Sequence, residues 1–153
     1  MSQETLRKFF AEGGESVIVG TVDADGIPTC CRGIAVVSKD DFDTVTVYVP
    51  AATAQETVAN VATTRRVAIS ASHPLSHESI QIKGLTRGVR LAPASDEGLV
   101  RQKLEELANV LDEIGLPRRR TMSIAHWPAF AIEVSVEQSF NQTPGPKAGS
   151  VLG

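Results

Sequence analysis

Three places in this 153-residue chain carry side chains able to do chemistry. Arg32 stands in an apolar run, flanked by Cys30, Cys31, Ile34 and Val36. A guanidinium in such a run needs either solvent or an anion. Thr53 precedes a helical stretch and Glu56 follows three residues later, the spacing of a capping box. A helix start presents free N–H groups and the positive dipole end, which suit a phosphate, but every helix has one. Gln81 and Lys83 fall on one face of a predicted strand, opposite Ile80 and Ile82. That pair is either solvated or lines a cleft, where a glutamine amide suits a flat heterocycle carrying donors and acceptors. The chain has no G-x-G-x-x-G, Walker lysine, H-E-x-x-H or G-x-S-x-G motif. His73, His77 and His126 form no metal spacing, and the first two read as polar loop residues. Trp127, the only tryptophan, reads as a core or interface anchor, with stacking on a ligand as the alternative.

The elements that must position these residues follow from periodicity. Residues 5–12 read as a short helix, with Leu6, Phe9 and Phe10 at helical spacing and Gly13-Gly14 as its stop. Runs at 17–22, 29–38 and 44–49 read as three antiparallel strands, the first two joined by the Asp23–Gly26 turn. Residues 54–62 read as a helix capped by Thr53. Further strands are predicted at 66–72, 79–91 and 129–136. Gly84 and Gly88 inside the second of these mark a bulge or a bend. Between them, 97–115 is the strongest helix, with Val100, Leu104, Leu107, Leu111 and Ile114 in one stripe. Six mostly antiparallel strands with helices at the connections give an α+β domain on a small barrel. Pattern alone leaves a closed barrel and an open sheet both standing.

Composition narrows the function. With 42% hydrophobic and 22% charged residues, the chain suits one globular domain, 1–153, with 141–153 as a tail. A net charge of −3 argues against nucleic acid as a main partner. No apolar run approaches the roughly 20 residues needed to span a bilayer. The first residues carry no signal-peptide pattern, so a cytoplasmic protein is expected. Cys30 and Cys31 are neighbours on a strand and point to opposite faces, so they are expected to stay reduced.

In order, the chain reads T-V-D-A-D-G-I-P-T, the arginine strand, a strand ending Y-V-P, a short helix carrying A-N, R-V-A-I-S, and Q-I-K-G. This order, from about 6 to 149, resembles the pyridoxamine 5′-phosphate oxidase-like, FMN-binding split-barrel superfamily. The tail Q-T-P-G-P-K-A-G is similar to one of its uncharacterised bacterial branches. The resemblance implies a six-stranded antiparallel split β-barrel with flanking helices, a homodimer, and FMN in clefts between the subunits. It implies that Arg32, Gly33, Ile34, Val36 and Val37 run along the flavin, followed by Tyr48 and Val49. Thr53 matches a hydroxyl on the phosphate, with Ala54 and Gln55 after it, and Gln81 matches a glutamine reaching across the site.

Several positions depart from the oxidase. Ala54 and Gln55 stand where it has a basic pair, and Val37 where its strand has a second basic residue. Nothing in 134–149 matches its arginine-and-histidine substrate motif. Oxidation of vitamin B6 is therefore not expected. The implied function is a flavin-dependent oxidoreductase acting on a small molecule. The alternatives are a non-enzymatic flavin or haem carrier or redox sensor, and a deazaflavin-dependent reductase. Cations for the phosphate are expected from Arg65, Arg66 or Lys147, with Lys83 beside Gln81 as a further contact. The tail, stiffened by Pro144 and Pro146, reads either as a lid over the flavin or as a frayed end.

Overall fold

Phe9, Leu6 and Phe10 are almost fully buried, and they fix the first element against the sheet. In the computed structural model, which describes residues 2–153, helix α1 (Ser2–Glu12) begins earlier than periodicity predicts. An ion pair between Glu4 and Lys8 at 3.0 Å extends its first turn. Gly13 and Gly14, at φ +72° and +78°, end it as expected.

The strands are β1 (Ser16–Val22), β2 (Pro28–Gly33), β3 (Ala35–Ser38), β4 (Thr44–Pro50), β5 (Arg66–Ser72), β6 (Ser79–Leu91), β7 (Ala129–Asn141) and β8 (Ser150–Val151). The described residues thus form eight strands where six were expected. The predicted strand at 29–38 is two, broken at Ile34, and the tail supplies β8. Sheet order is β2-β1-β5-β6-β7-β4-β3, with β8 on β7, and every pairing is antiparallel. The two outermost strands, β2 and β3, are consecutive in sequence, so the sheet curls until its ends meet. Gly33 stands at that crossing. A Cβ there would meet Val17 Cγ1 at 2.7 Å and Val47 Cγ2 at 3.3 Å, from the walls the crossing joins.

Inside the curl lies the main core, with Val17, Val19, Val36, Val45, Val47, Val49, Ile69, Ile82 and Ile132. Helix α2 (Gln55–Thr64) plugs one end. Asn60 Nδ2 donates to Thr21 Oγ1 at 3.1 Å, and the Thr57 hydroxyl to Cys31 Sγ at 3.3 Å. The capping box does not form. Thr53 lies in a tight turn, its N–H on the Pro50 carbonyl, and the cap position falls to Ala54, which has no side-chain acceptor.

A second core lies outside the barrel. There Val100 and Leu104 of α3 (Glu97–Glu113) cover Ile34, Ala35, Tyr48 and Ala131. Trp127 packs at its margin, as an anchor should. The predicted stripe of α3 is buried only through Leu107; Leu111 is half-buried and Ile114 is 58% exposed. Helix α4 (Arg118–Met122), which periodicity does not show, lies beside the end of α3. Among the described residues, no helix is long and apolar enough to cross a membrane.

Candidate functional site

Strand register assembles the site. Ile18 pairs with Arg32 on one side and Ser70 on the other; Ser70 pairs with Gln81, and Gln81 with Phe140. Arg32, Ile18, Ser70 and Gln81 therefore form one row across β2, β1, β5 and β6. At about 4.8 Å per strand, Arg32 and Gln81 stand about 14 Å apart. All point away from the core, since Val17, Val19, Ile69, Ile80 and Ile82 fill the opposite face. The next row runs Cys30, Gly20, Ala68, Lys83, Gln138. Its small side chains leave a shallow cavity of about 590 Å³, lined by strand residues alone and rimmed by Arg66 and Lys83.

Arg32 is half-buried and donates to Ser16 Oγ at 3.2 Å. Among the described residues it makes no ion pair. Gln81 Nε2 donates to Ser70 Oγ at 3.2 Å, and the Lys83 ammonium stands 5.1 Å from the centre of the Phe140 ring. Arg65 is committed elsewhere. Its Nε and Nη2 donate to the Thr86 carbonyl, leaving Arg66 as the free cation of that pair among the described residues.

The remaining sequence candidates are dispersed. Gly33, Val36 and Val49 are buried, with Val36 and Val49 in the barrel core, so they offer no open surface to a ligand. Ile34 is covered by the second core. Val37 and Tyr48 border a separate polar cleft of about 330 Å³. There the Tyr48 hydroxyl donates to Asp96 Oδ2 at 2.8 Å, and burial raises its pKa. Thr53 and Gln55 are exposed at the start of α2, and Ala54 is fully buried. Lys147 is exposed in a tail that folds as a hairpin, with Gly149 N–H on the Asn141 carbonyl at 2.7 Å. Cys30 faces out, while burial raises the pKa of the inward Cys31 thiol.

A second cavity, of about 450 Å³, adjoins the Arg32 end of this face. It lies where Ser16, Ser72 and Ser79 meet the last turns of α3 and helix α4. His73 lines it and is not the polar loop residue its sequence context suggests. It is 4% exposed, packs on Phe9 at 4.1 Å, and its Nε2–H donates to the Phe9 carbonyl at 3.0 Å. His77 lines the rim and is exposed. Pro144 of the tail also borders it.

Beside His73 stands Glu15, 5% exposed, with Oε2 lacking any partner among the described residues. Burial pushes its pKa above the ordinary 4.5, against the attraction of Lys103 and His73. The folded chain therefore favours the protonated carboxyl. Stability is full below the unfolded pKa and is lost as pH rises through the folded one. Glu15→Gln is expected to raise Tm by about 2–4 °C at about pH 7.5 and to change little at about pH 4. Thermal scans at both values check this; an equal shift at both contradicts it.

No protein-family model and no curated protein sequence matches the chain. Solved structures do match its fold. An FMN-binding protein from Syntrophomonas wolfei aligns at TM-score 0.57 and 13% identity, covering 91% of this chain and 84% of that one. A putative pyridoxamine 5′-phosphate oxidase from Lactobacillus delbrueckii aligns at 0.55 and 17%, covering 90% and 91%. An F420 reductase aligns at 0.54 and 14%, covering 86% and 94%. The curled sheet, its end-to-end crossing and its flanking helices are the split-barrel fold of the pyridoxamine 5′-phosphate oxidase-like proteins.

Proposed function

We propose that this chain binds FMN on the uncovered sheet face as a homodimer and serves as a flavin-dependent oxidoreductase for a small molecule. The observation that carries the reading is the row that brings Arg32 and Gln81 onto one face. The residues present fit a flat, anionic heterocycle. Gly20 and Ala68 make a low floor, Arg32, Arg66 and Lys83 are free of ion pairs among the described residues and outnumber the one carboxylate on the cavity's lining, Glu137, and Gln81 in the adjoining row supplies an amide. The cavity volume falls within the usual range for small-molecule sites, about 300–1,000 Å³. Similar folds carry an FMN-binding protein and an F420 reductase, which favours a flavin-type cofactor.

Arg32 would bind the anionic end or a ring oxygen by charge-assisted hydrogen bonds. Gln81, held by Ser70, would orient the ring edge through its amide. A second copy laid over the face would cover Ile18, which is 39% exposed, and exclude water. When bound, the isoalloxazine supplies the electron- and hydride-transfer chemistry.

Titration of flavin-free protein with FMN tests this. Arg32→Ala is expected to lower affinity by about 1.5–3 kcal/mol, the scale of a charged hydrogen bond, with little change in Tm. Sedimentation at micromolar concentration is expected to give a dimer. Unchanged affinity in the variant, or a monomer with FMN bound, sinks the reading. Bound flavin that no nicotinamide donor reduces would make the protein a carrier.

A further inference from the structure

The cavity at the Arg32 end shares Arg32 with the flavin reading, but the rest of its lining is not used there. We infer that it is a binding site for a small organic carboxylate with an apolar body. Arg32 and Arg120 both line it, and none of its lining residues is a carboxylate. Among the described residues neither guanidinium makes an ion pair, and the Arg32 guanidinium's one hydrogen bond there goes to a neutral hydroxyl. A guanidinium is a planar fork that matches a planar carboxylate. Leu107, Leu111 and Ile124 add apolar surface to the same lining.

An independent observation comes from Thr121. It lines the same cavity and is fully buried, and its Oγ1 has no hydrogen-bond partner among the described residues. An unpaired buried hydroxyl destabilises a fold, and a ligand oxygen is a group that would pair it. It also accounts for the uncovered end of α3. Leu111 continues the helix stripe past the point where the sheet covers it, and the cavity is what it faces. The apolar stripe thus continues as a binding wall.

Calorimetric titration of the purified full-length chain with octanoate tests this, with octanol and inorganic phosphate as comparison ligands. Octanoate is expected to bind with Kd of about 0.1 mM or tighter. Octanol and phosphate, each holding half of the recognised chemistry, are expected to bind at least about tenfold more weakly. Arg120→Ala removes an exposed side chain, so the fold should survive. It is expected to weaken octanoate about tenfold and leave FMN affinity unchanged. Thr121→Val keeps the shape and removes the hydroxyl. It is expected to weaken octanoate several-fold while raising the Tm of the ligand-free protein, an opposition that damage to the fold cannot produce. Absence of octanoate binding, octanol or phosphate binding as tightly, or full affinity in Arg120→Ala overturns the inference. Arg32 belongs to both readings, but Arg120 and Thr121 lie outside the flavin row, so octanoate and FMN titrations of their variants separate the failure of one site from the failure of the other.

Discussion

Gly84→Ala is expected to destabilise the chain by about 3 kcal/mol or more, the largest effect of a single added methyl in this fold. Gly84 sits at a register shift between β6 and β7, opposite Val136. A Cβ there would be driven into the backbone carbonyl of Ser135 and to 3.0 Å from Val134 Cγ1. Flexible side chains yield to such a clash, but this carbonyl belongs to a strand held on both sides. Ser135 pairs with Leu85 of β6 and with Thr44 of β4. The control lies four residues on, beside the second shift. A Cβ at Gly88 meets nothing within 4 Å, so Gly88→Ala should stay within about 0.5 kcal/mol of the parent. Urea unfolding of both variants checks the pair. Equal midpoints would refute the bulge as the reason for Gly84.

Phe9→Ala should cost about 3–5 kcal/mol, the usual range for a buried aromatic. Phe9 is 2% exposed, meets Phe10 edge-to-face at 5.1 Å, and lies against the His73 ring. Loss of its ring opens a void between α1 and the sheet. The carbonyl that accepts from His73 remains, but the helix carrying it loses its main anchor. We expect the loss to appear as a lower urea midpoint with an unchanged slope, the sign of a weakened but still cooperative unit. A loss below about 1 kcal/mol would mean that α1 is not part of that unit.

Much of this architecture was legible in local patterns. The strands at Ser16–Val22 and Arg66–Ser72 alternate cleanly, Ser79–Leu91 does so as far as Thr86, and the glycines of β6 do stand at its register shifts. Where the pattern failed, tertiary structure had overridden it. The run from 29 to 38 stays strand-like on both sides of Arg32 and Gly33, so neither residue alone marks the break at Ile34, which exists because the barrel must close there. β7 continues past Val136 although Glu137 and Gln138 interrupt the alternation, because the register shift against β6 leaves Glu137 as an extra residue between the Val136–Gly84 and Gln138–Lys83 pairs. Thr53 and Glu56 had the spacing of a capping box, yet the turn from Pro50 placed the cap one residue later.

The site was legible in part for the same reason. Arg32 and Gln81 each stood out as polar residues in apolar runs. Their shared row depends on the pairing of four strands, which no single window contains. His73 is covered by Phe9, 64 residues away, so its burial has no local signature. Arg120 and Thr121 sit on a five-residue helix too short to show a period.

The tail hairpin has a consequence beyond the cavity it borders. β4 pairs with β7 only from Ala129 to Ser135, which leaves the far end of a thirteen-residue strand without a neighbour on that side. β8 fills the gap, pairing Val151 with Phe140 and Ser150 with Asn141, and Leu152 N–H donates to the Ser139 carbonyl at 2.8 Å. An unpaired stretch of this kind is a template on which strands of other molecules can grow. Here the template is already occupied, by a partner held in the same chain at high effective concentration. The hairpin therefore acts as a guard against edge-to-edge aggregation, and its short strand suffices because the gap it closes is short.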